Sequence, residues 1–124
     1  MPCFATCAGL ILLAREVLDG RPDQIPFAAL DVVAQRNGYG RQVDSFEADL
    51  PISASLGFDA TDAPFRGVFI RAPKIVAWGD VEVLAAHDES PVLVRHQAIW
   101  GATFHPELAG DLRIHRAFLQ QCAA

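Results

Sequence analysis

Leu10, Leu13, Ala14, Val17 and Leu18 recur at spacings of three and four, which is one face of a helix, and Gly20 follows as a C-terminal stop. Ile11 and Leu12 make the first turns apolar on the other faces too, so this helix starts inside the protein. A helix buried at its start normally emerges from a buried strand, yet only Pro2-Cys3-Phe4 stands ahead of it. Downstream the pattern predicts strands at 29–35 and 42–50, joined as a hairpin across Asn37-Gly38. A strand follows at 65–71, closed by Pro73, then a hairpin of 81–86 and 92–96 across the turn His87-Asp88-Glu89-Ser90, and a strand at 99–104. Asp111 is a candidate N-cap for a last helix that buries Ile114, Ala117, Phe118 and Cys122. Residues 59–64 read as a polar loop, and no repeat, linker or low-complexity tract interrupts the chain. Two helices around a strand-rich middle give an α/β class, with fewer helices than a layered α/β domain usually needs to cover its sheet.

Composition narrows the partners. The 124 residues carry 10 Lys+Arg against 15 Asp+Glu, a formal net charge of −5, which argues against nucleic acid because phosphate binding needs clustered positive charge. With 52% hydrophobic and 20% charged residues, the chain suits one packed domain rather than a disordered one. Cys3, Cys7 and Cys122 form no C-x-x-C pair, so neither a disulfide framework nor a zinc ribbon is indicated, and a reducing, cytoplasmic setting is expected. The longest apolar stretch, residues 7–14, falls far short of the ~20 residues that span a bilayer, and the apolar start lacks the basic flank of a secretion signal.

The order small-x-nucleophile-x-Gly in Ala5-Thr6-Cys7-Ala8-Gly9, followed by a helix, has the form of a nucleophile elbow. Small residues at positions 5 and 9 let strand and helix approach, leaving Cys7 on a sharp turn at a helix N-terminus, where the dipole favours thiolate. The Ala8 N–H then points at a developing oxyanion. Cys7 as a small buried hydrophobe fits the motif equally well. A nucleophile needs a base, and His105-Pro106-Glu107 supplies the candidate, because residues two apart in extended chain face the same way and Glu107 can fix the His105 tautomer. By itself this segment reads as a turn into a helix; together with Cys7 the triad is the better reading. His87, His96 and His115 are read as solvated, Cys3 and Cys122 as core, and no pair among Cys7, His105 and Glu107 has zinc spacing. Arg36 and Arg41 flank a glycine-rich turn and could together hold a carboxylate, and Arg71 at a strand end is a second such candidate, although by physics alone solvated charges are the favoured reading of each. Gly38 and Gly40 lack the third glycine of a dinucleotide fingerprint.

Four segments occur together in the order and spacing of one family: Ala-Thr-Cys-Ala-Gly-Leu-Ile-Leu-Leu-Ala at 5–14, Arg-Asn-Gly-Tyr-Gly-Arg-Gln-Val-Asp-Ser-Phe-Glu at 36–47, Phe-Ile-Arg-Ala-Pro at 69–73, and Thr-Phe-His-Pro-Glu-Leu at 103–108. The chain resembles the PdxT/SNO family over nearly its whole length. The cysteine and His-Pro-Glu segments are shared by many class I glutamine amidotransferases, whereas Arg-Gln-Val-Asp-Ser-Phe-Glu is narrow enough to select this family. The resemblance implies a flavodoxin-like three-layer α/β fold and a glutaminase subunit of pyridoxal 5'-phosphate synthase that needs no cofactor. It implies Cys7 as nucleophile, His105 as proton shuttle, Glu107 as its orienting partner, and Arg36, Ile70 and Arg71 as contacts of L-glutamine. Ammonia would pass to PdxS, a (β/α)8-barrel synthase subunit. Ala5 stands where the family usually has Gly, and His96-Gln97-Ala98 lacks the usual Gly-Asn. Family members also begin with βα units and a Gly-Gly-Glu-Ser loop that supplies a second oxyanion N–H. The chain therefore reads as a single amidotransferase domain incomplete at its N-terminus, with little activity expected of it alone, since one lost oxyanion donor costs about 10²- to 10³-fold. A non-catalytic partner of the barrel, or an unrelated cysteine hydrolase, are the competing expectations.

Overall fold

A computed structural model describes residues 2–18, 28–36, 45–52 and 64–123. Strand β1 (Cys3–Thr6) turns at Cys7 into the short helix α1 (Ala8–Leu13), and β2 (Ala14–Leu18) follows. Strands β3 (Leu30–Gln35), β4 (Ser45–Leu50), β5 (Phe65–Ile70) and β6 (Lys74–Trp78) come next. The chain ends with β7 (Glu82–His87), β8 (Ser90–His96), β9 (Ile99–Ala102), a 3-10 helix (Pro106–Ala109) and α2 (Arg113–Ala123). Strand order in the largest sheet is β1-β9-β8-β7; β2-β3-β6 form a second sheet and β4-β5 a third. The expected α/β class, with few helices, is what the chain forms.

The pairing that matters most is the parallel one of β1 with β9, from Cys3 opposite Ile99 to Thr6 opposite Ala102, because it sets the ends of the two strands side by side. Trp100, fully buried on β9, packs against Phe4 and, edge-on, against Phe118, with centroids 5.8 and 5.4 Å away. Its indole N–H donates to Gln121 Oε1 at 2.8 Å, which fastens α2 to the sheet. On the same strand Gly101 lets α1 and β3 press in, since a Cβ there would lie 2.6 Å from Leu10 Cδ1 and 2.8 Å from Leu30 Cδ1.

Several expectations need correction. The helix read through Leu18 stops at Leu13: Ala14 takes extended backbone (φ −64°, ψ 153°), and residues 14–18 pair in parallel with β3. Leu10 and Ala14 stay buried and Leu13 and Val17 partly so; the apolar positions serve a strand as well as a helix, and the β3 ladder decides between them. Strands β3 and β4 do not pair, β3 lying between β2 and β6 and β4 against β5, while the Asn37-Gly38 turn and residues 42–44 lie outside the described residues. Strand β6 was not anticipated because Pro73 reads as a stop; it stands just ahead of the first residue, where a missing N–H is tolerated. The β7-β8 hairpin forms as expected, with Asp88 and Glu89 both at positive φ (49° and 67°) between His87 and Ser90. Helix α2 starts at Arg113, so Leu112 holds the cap position and Asp111 lies one residue ahead of it; its carboxylate still accepts the Arg113 N–H at 3.0 Å, and Arg113 holds that carboxyl below the usual range against the opposing effect of partial burial. The histidines read as solvated are half-buried: the His87 ring packs on Phe46 and Phe69, and the His115 ring on Phe4, because an imidazole offers an apolar face. Cys3 is half-buried rather than core, and the Cys122 side chain lies outside the described residues.

Candidate active site

Cys7 has φ 48° and ψ −108°, a conformation that non-glycine residues rarely hold. Its backbone is pinned on both sides, the N–H donating to the Ala102 carbonyl at 2.9 Å and the carbonyl accepting the Ile11 N–H at 3.3 Å. The small pair ahead of and behind the cysteine behaves as the motif requires, since a Cβ on Gly9 would lie 3.1 Å from the Ala5 Cβ. Overpacking of this kind costs about 1–3 kcal/mol, against which alanine regains up to about 1 kcal/mol of helix propensity. Gly9→Ala is therefore expected to lower stability by about 1–2 kcal/mol in thermal melts, and adding Ala5→Gly to restore it.

Cys7 is nearly enclosed, 8% exposed, and its thiol donates to the Thr103 carbonyl at 3.2 Å. Burial, and secondarily the negative charge of Glu107, push its pKa from 9.0 up to about 11. The expected preference for thiolate at a helix N-terminus is thus reversed, because α1 has only six residues and its dipole does not offset desolvation. Between pH 9 and about 11 the folded chain keeps a proton that the unfolded chain has lost, so this group's contribution to stability falls as pH rises through that window. Alkylation of Cys7, which follows the thiolate, is expected to quicken about tenfold per pH unit from pH 7 and to level near pH 11; a plateau at pH 7 would contradict the burial.

Beyond β9 the chain crosses toward β5, where the His105 N–H donates to the Val68 carbonyl at 2.8 Å. Pro106 then opens the 3-10 helix that carries Glu107, and His105 Nδ1 meets Glu107 Oε1 at 2.8 Å. Partial burial pushes the Glu107 carboxyl up, but its own backbone N–H and the hydrogen bond and charge of His105 outweigh this and hold it below the usual carboxylate range. An anionic Glu107 takes the proton on Nδ1 and leaves the other imidazole nitrogen free to act as a base. The thiol's hydrogen bond goes to the carbonyl two residues ahead of the histidine, rather than to the imidazole. Cys7, His105 and Glu107 thus gather at the carboxyl ends of the parallel pair β1 and β9, where ligands bind in sheets of this kind.

Ala8 is the first residue of α1, so its N–H has no intrahelical partner. Ile70 ends the strand that holds His105 and Arg71 follows it, both exposed, with Arg71 at φ 45°. Arg36, also exposed, donates its N–H to Leu18, and the pairing of Gln35 with Lys74 sets it at the end of the sheet where the 71–73 turn passes into β6. Two participants escaped the sequence reading: the Val68 carbonyl, which carries no sequence signal, and Thr103. Thr103 had a signal, being the one polar residue in the apolar run from Ile99 to Phe104.

These features define an α/β domain with a strained cysteine elbow beside a His-Glu pair. The chain belongs to the SNO glutamine amidotransferase family, whose model matches residues 1–124. It is 53% identical over 122 residues to the pyridoxal 5'-phosphate synthase subunit PdxT of Kosmotoga olearia, covering 98% of this chain and 60% of that protein. It is 52% identical over 120 residues to the same subunit of Frankia alni, covering 96% and 58%. A solved structure described as a glutamine amidotransferase superposes with a TM-score of 0.84 at 44% identity, over 99% of this chain and 61% of the other. The chain therefore spans about 60% of the length of relatives it matches. Among the described residues no helix is long and apolar enough to cross a membrane.

Proposed function

We propose that residues 1–124 act as one amidotransferase domain that hydrolyses L-glutamine to glutamate and ammonia through Cys7, His105 and Glu107. The observation that carries this reading is the left-handed turn at Cys7, set beside a His105-Glu107 pair in a member of this family. The Cys7 proton moves to the free nitrogen of His105 as sulfur attacks the side-chain amide carbon, and the oxyanion forms opposite the Ala8 N–H. Collapse of that intermediate breaks the C–N bond, and the amide nitrogen leaves as ammonia with the proton from His105. Water then attacks the thioester, giving its proton to His105, and glutamate departs as Cys7 regains the thiol. Arg36, Ile70 and Arg71 line the approach and hold the substrate, the guanidinium groups suiting its α-carboxylate. The ammonia passes to a PdxS-type (β/α)8-barrel subunit that makes pyridoxal 5'-phosphate in the cytoplasm.

A thiol that titrates near 11 is almost wholly protonated at neutral pH, so the chain alone is expected to be slow. Glutamate release measured with and without the barrel subunit tests the reading: a low rate alone, raised by the barrel, with Cys7 labelled by a glutamine-analogue alkylator, supports it. Absence of both turnover and labelling in the complex overturns it. The same buried thiol favours a second reading, a non-catalytic partner of the barrel, for which co-purification would be unchanged in Cys7→Ser while no glutamate appears.

A further inference from the structure

Thr103 stands at the join between β9 and the His105 turn and is fully buried. Its backbone is engaged on both sides: the N–H donates to the Val92 carbonyl at 2.9 Å, and the carbonyl accepts the Cys7 thiol at 3.2 Å. The hydroxyl is not. Oγ1 is buried and finds no hydrogen-bond partner among the described residues, although interior hydroxyls are normally paired because an unmade hydrogen bond in a dry site is costly. Valine has the shape of threonine without the oxygen and would sit in this apolar run free of that cost.

The neighbouring sulfur gives the hydroxyl a use. A carbonyl oxygen only accepts, so it holds a thiol and opposes a thiolate. Once the proton leaves, the lone pairs of the Thr103 carbonyl face a negative sulfur, and a donor is needed in their place. The charged groups near the sulfur do not supply it: Glu107 is anionic, and His105 is bound to Glu107 through Nδ1 and receives the proton on its other nitrogen. Strand β1 and helix α1 bring no charged side chain. Thr103 carries an unspent O–H that rotates to suit its surroundings.

We propose that Thr103 is a positioning residue for the nucleophile, its carbonyl holding the Cys7 thiol at rest and its buried hydroxyl turning to hold the thiolate. This rests on the reading of Cys7 as the nucleophile of the glutaminase reaction. The proton passes from Sγ to His105, and the Thr103 O–H bond stays intact throughout.

The test is the rate of Cys7 alkylation by iodoacetamide, followed on the full chain by peptide mass spectrometry from pH 6 to 11, with thermal melting alongside. Thr103→Val is expected to slow the reaction about tenfold at each pH below 10, the equivalent of one pKa unit, while melting no earlier than the parent. Thr103→Ser is expected to react within about twofold of the parent. A valine variant with the parent's rates and profile overturns the proposal. Should that variant fail to fold, Thr103→Ser and Thr103→Ala differ by the same oxygen: alanine about tenfold slower than serine supports the proposal, and equal rates overturn it. His105→Ala separates the two readings. A parental profile in that variant counts against the glutaminase reading itself, whereas an altered profile with indifferent Thr103 variants removes the role of Thr103 alone.

Discussion

Cys7→Ala, assayed in the complex with the barrel subunit, is expected to lower glutamine hydrolysis by at least about 10³-fold, and His105→Ala to do nearly the same. The double variant should be no slower than either single one. Groups that act as a unit lose their whole effect when any member goes, because sulfur without a base stays protonated and a base without sulfur has nothing to activate. The buried thiol sharpens this expectation. With a pKa pushed up to about 11, Cys7 holds little standing thiolate, so the proposed mechanism has the proton taken during the reaction. Glutamate release, compared across the three variants, checks it; additive losses would mean that Cys7 and His105 act separately.

Trp100→Ala is the substitution expected to harm the fold most. Truncating a buried tryptophan costs about 3–5 kcal/mol, a large share of the roughly 5–15 kcal/mol that holds an ordinary domain together. Here the indole also carries the hydrogen bond to Gln121 at 2.8 Å and meets Phe4 and Phe118 in tilted and edge-on contact. Removing it loosens β1 and α2 from β9 together. Urea denaturation should show a midpoint lowered in proportion, or no cooperative transition at all. A loss under 1 kcal/mol would mean that α2 is held by something other than this ring.

The elements that could be read from the residues were those whose pattern admits one geometry. Residues 81–86 form a short apolar run that ends in a polar turn, and Ile114, Ala117 and Phe118 recur at helical spacing; both segments fold as their patterns require. Residues 14–18 were misread because Ala14 and Val17 suit either a helix face or a strand, and only the distant partner β3 resolves the choice. The expected pairing of β3 with β4 failed for the same reason, since β3 pairs with β6 and β4 with β5, while Asn37-Gly38 itself lies outside the described residues. At the site, the elbow and the His105-Glu107 pair were legible because each is built from a few adjacent residues. The state of the thiol was not, since burial is decided by β9 and the turn beyond it, close to a hundred residues away.

That separation has a kinetic consequence. The contact between Cys7 and Thr103 spans 96 positions, and the strand pair beneath it joins residues 3–6 to residues 99–102. Closing so long a loop delays the parallel pairing, and topologies dominated by such remote contacts fold slowly. Until β1 docks on β9, Cys7 is an ordinary accessible thiol with an ordinary appetite for electrophiles. The enclosure of its sulfur is therefore expected to be a late closure in folding, and pulsed labelling of this one atom during refolding would time it.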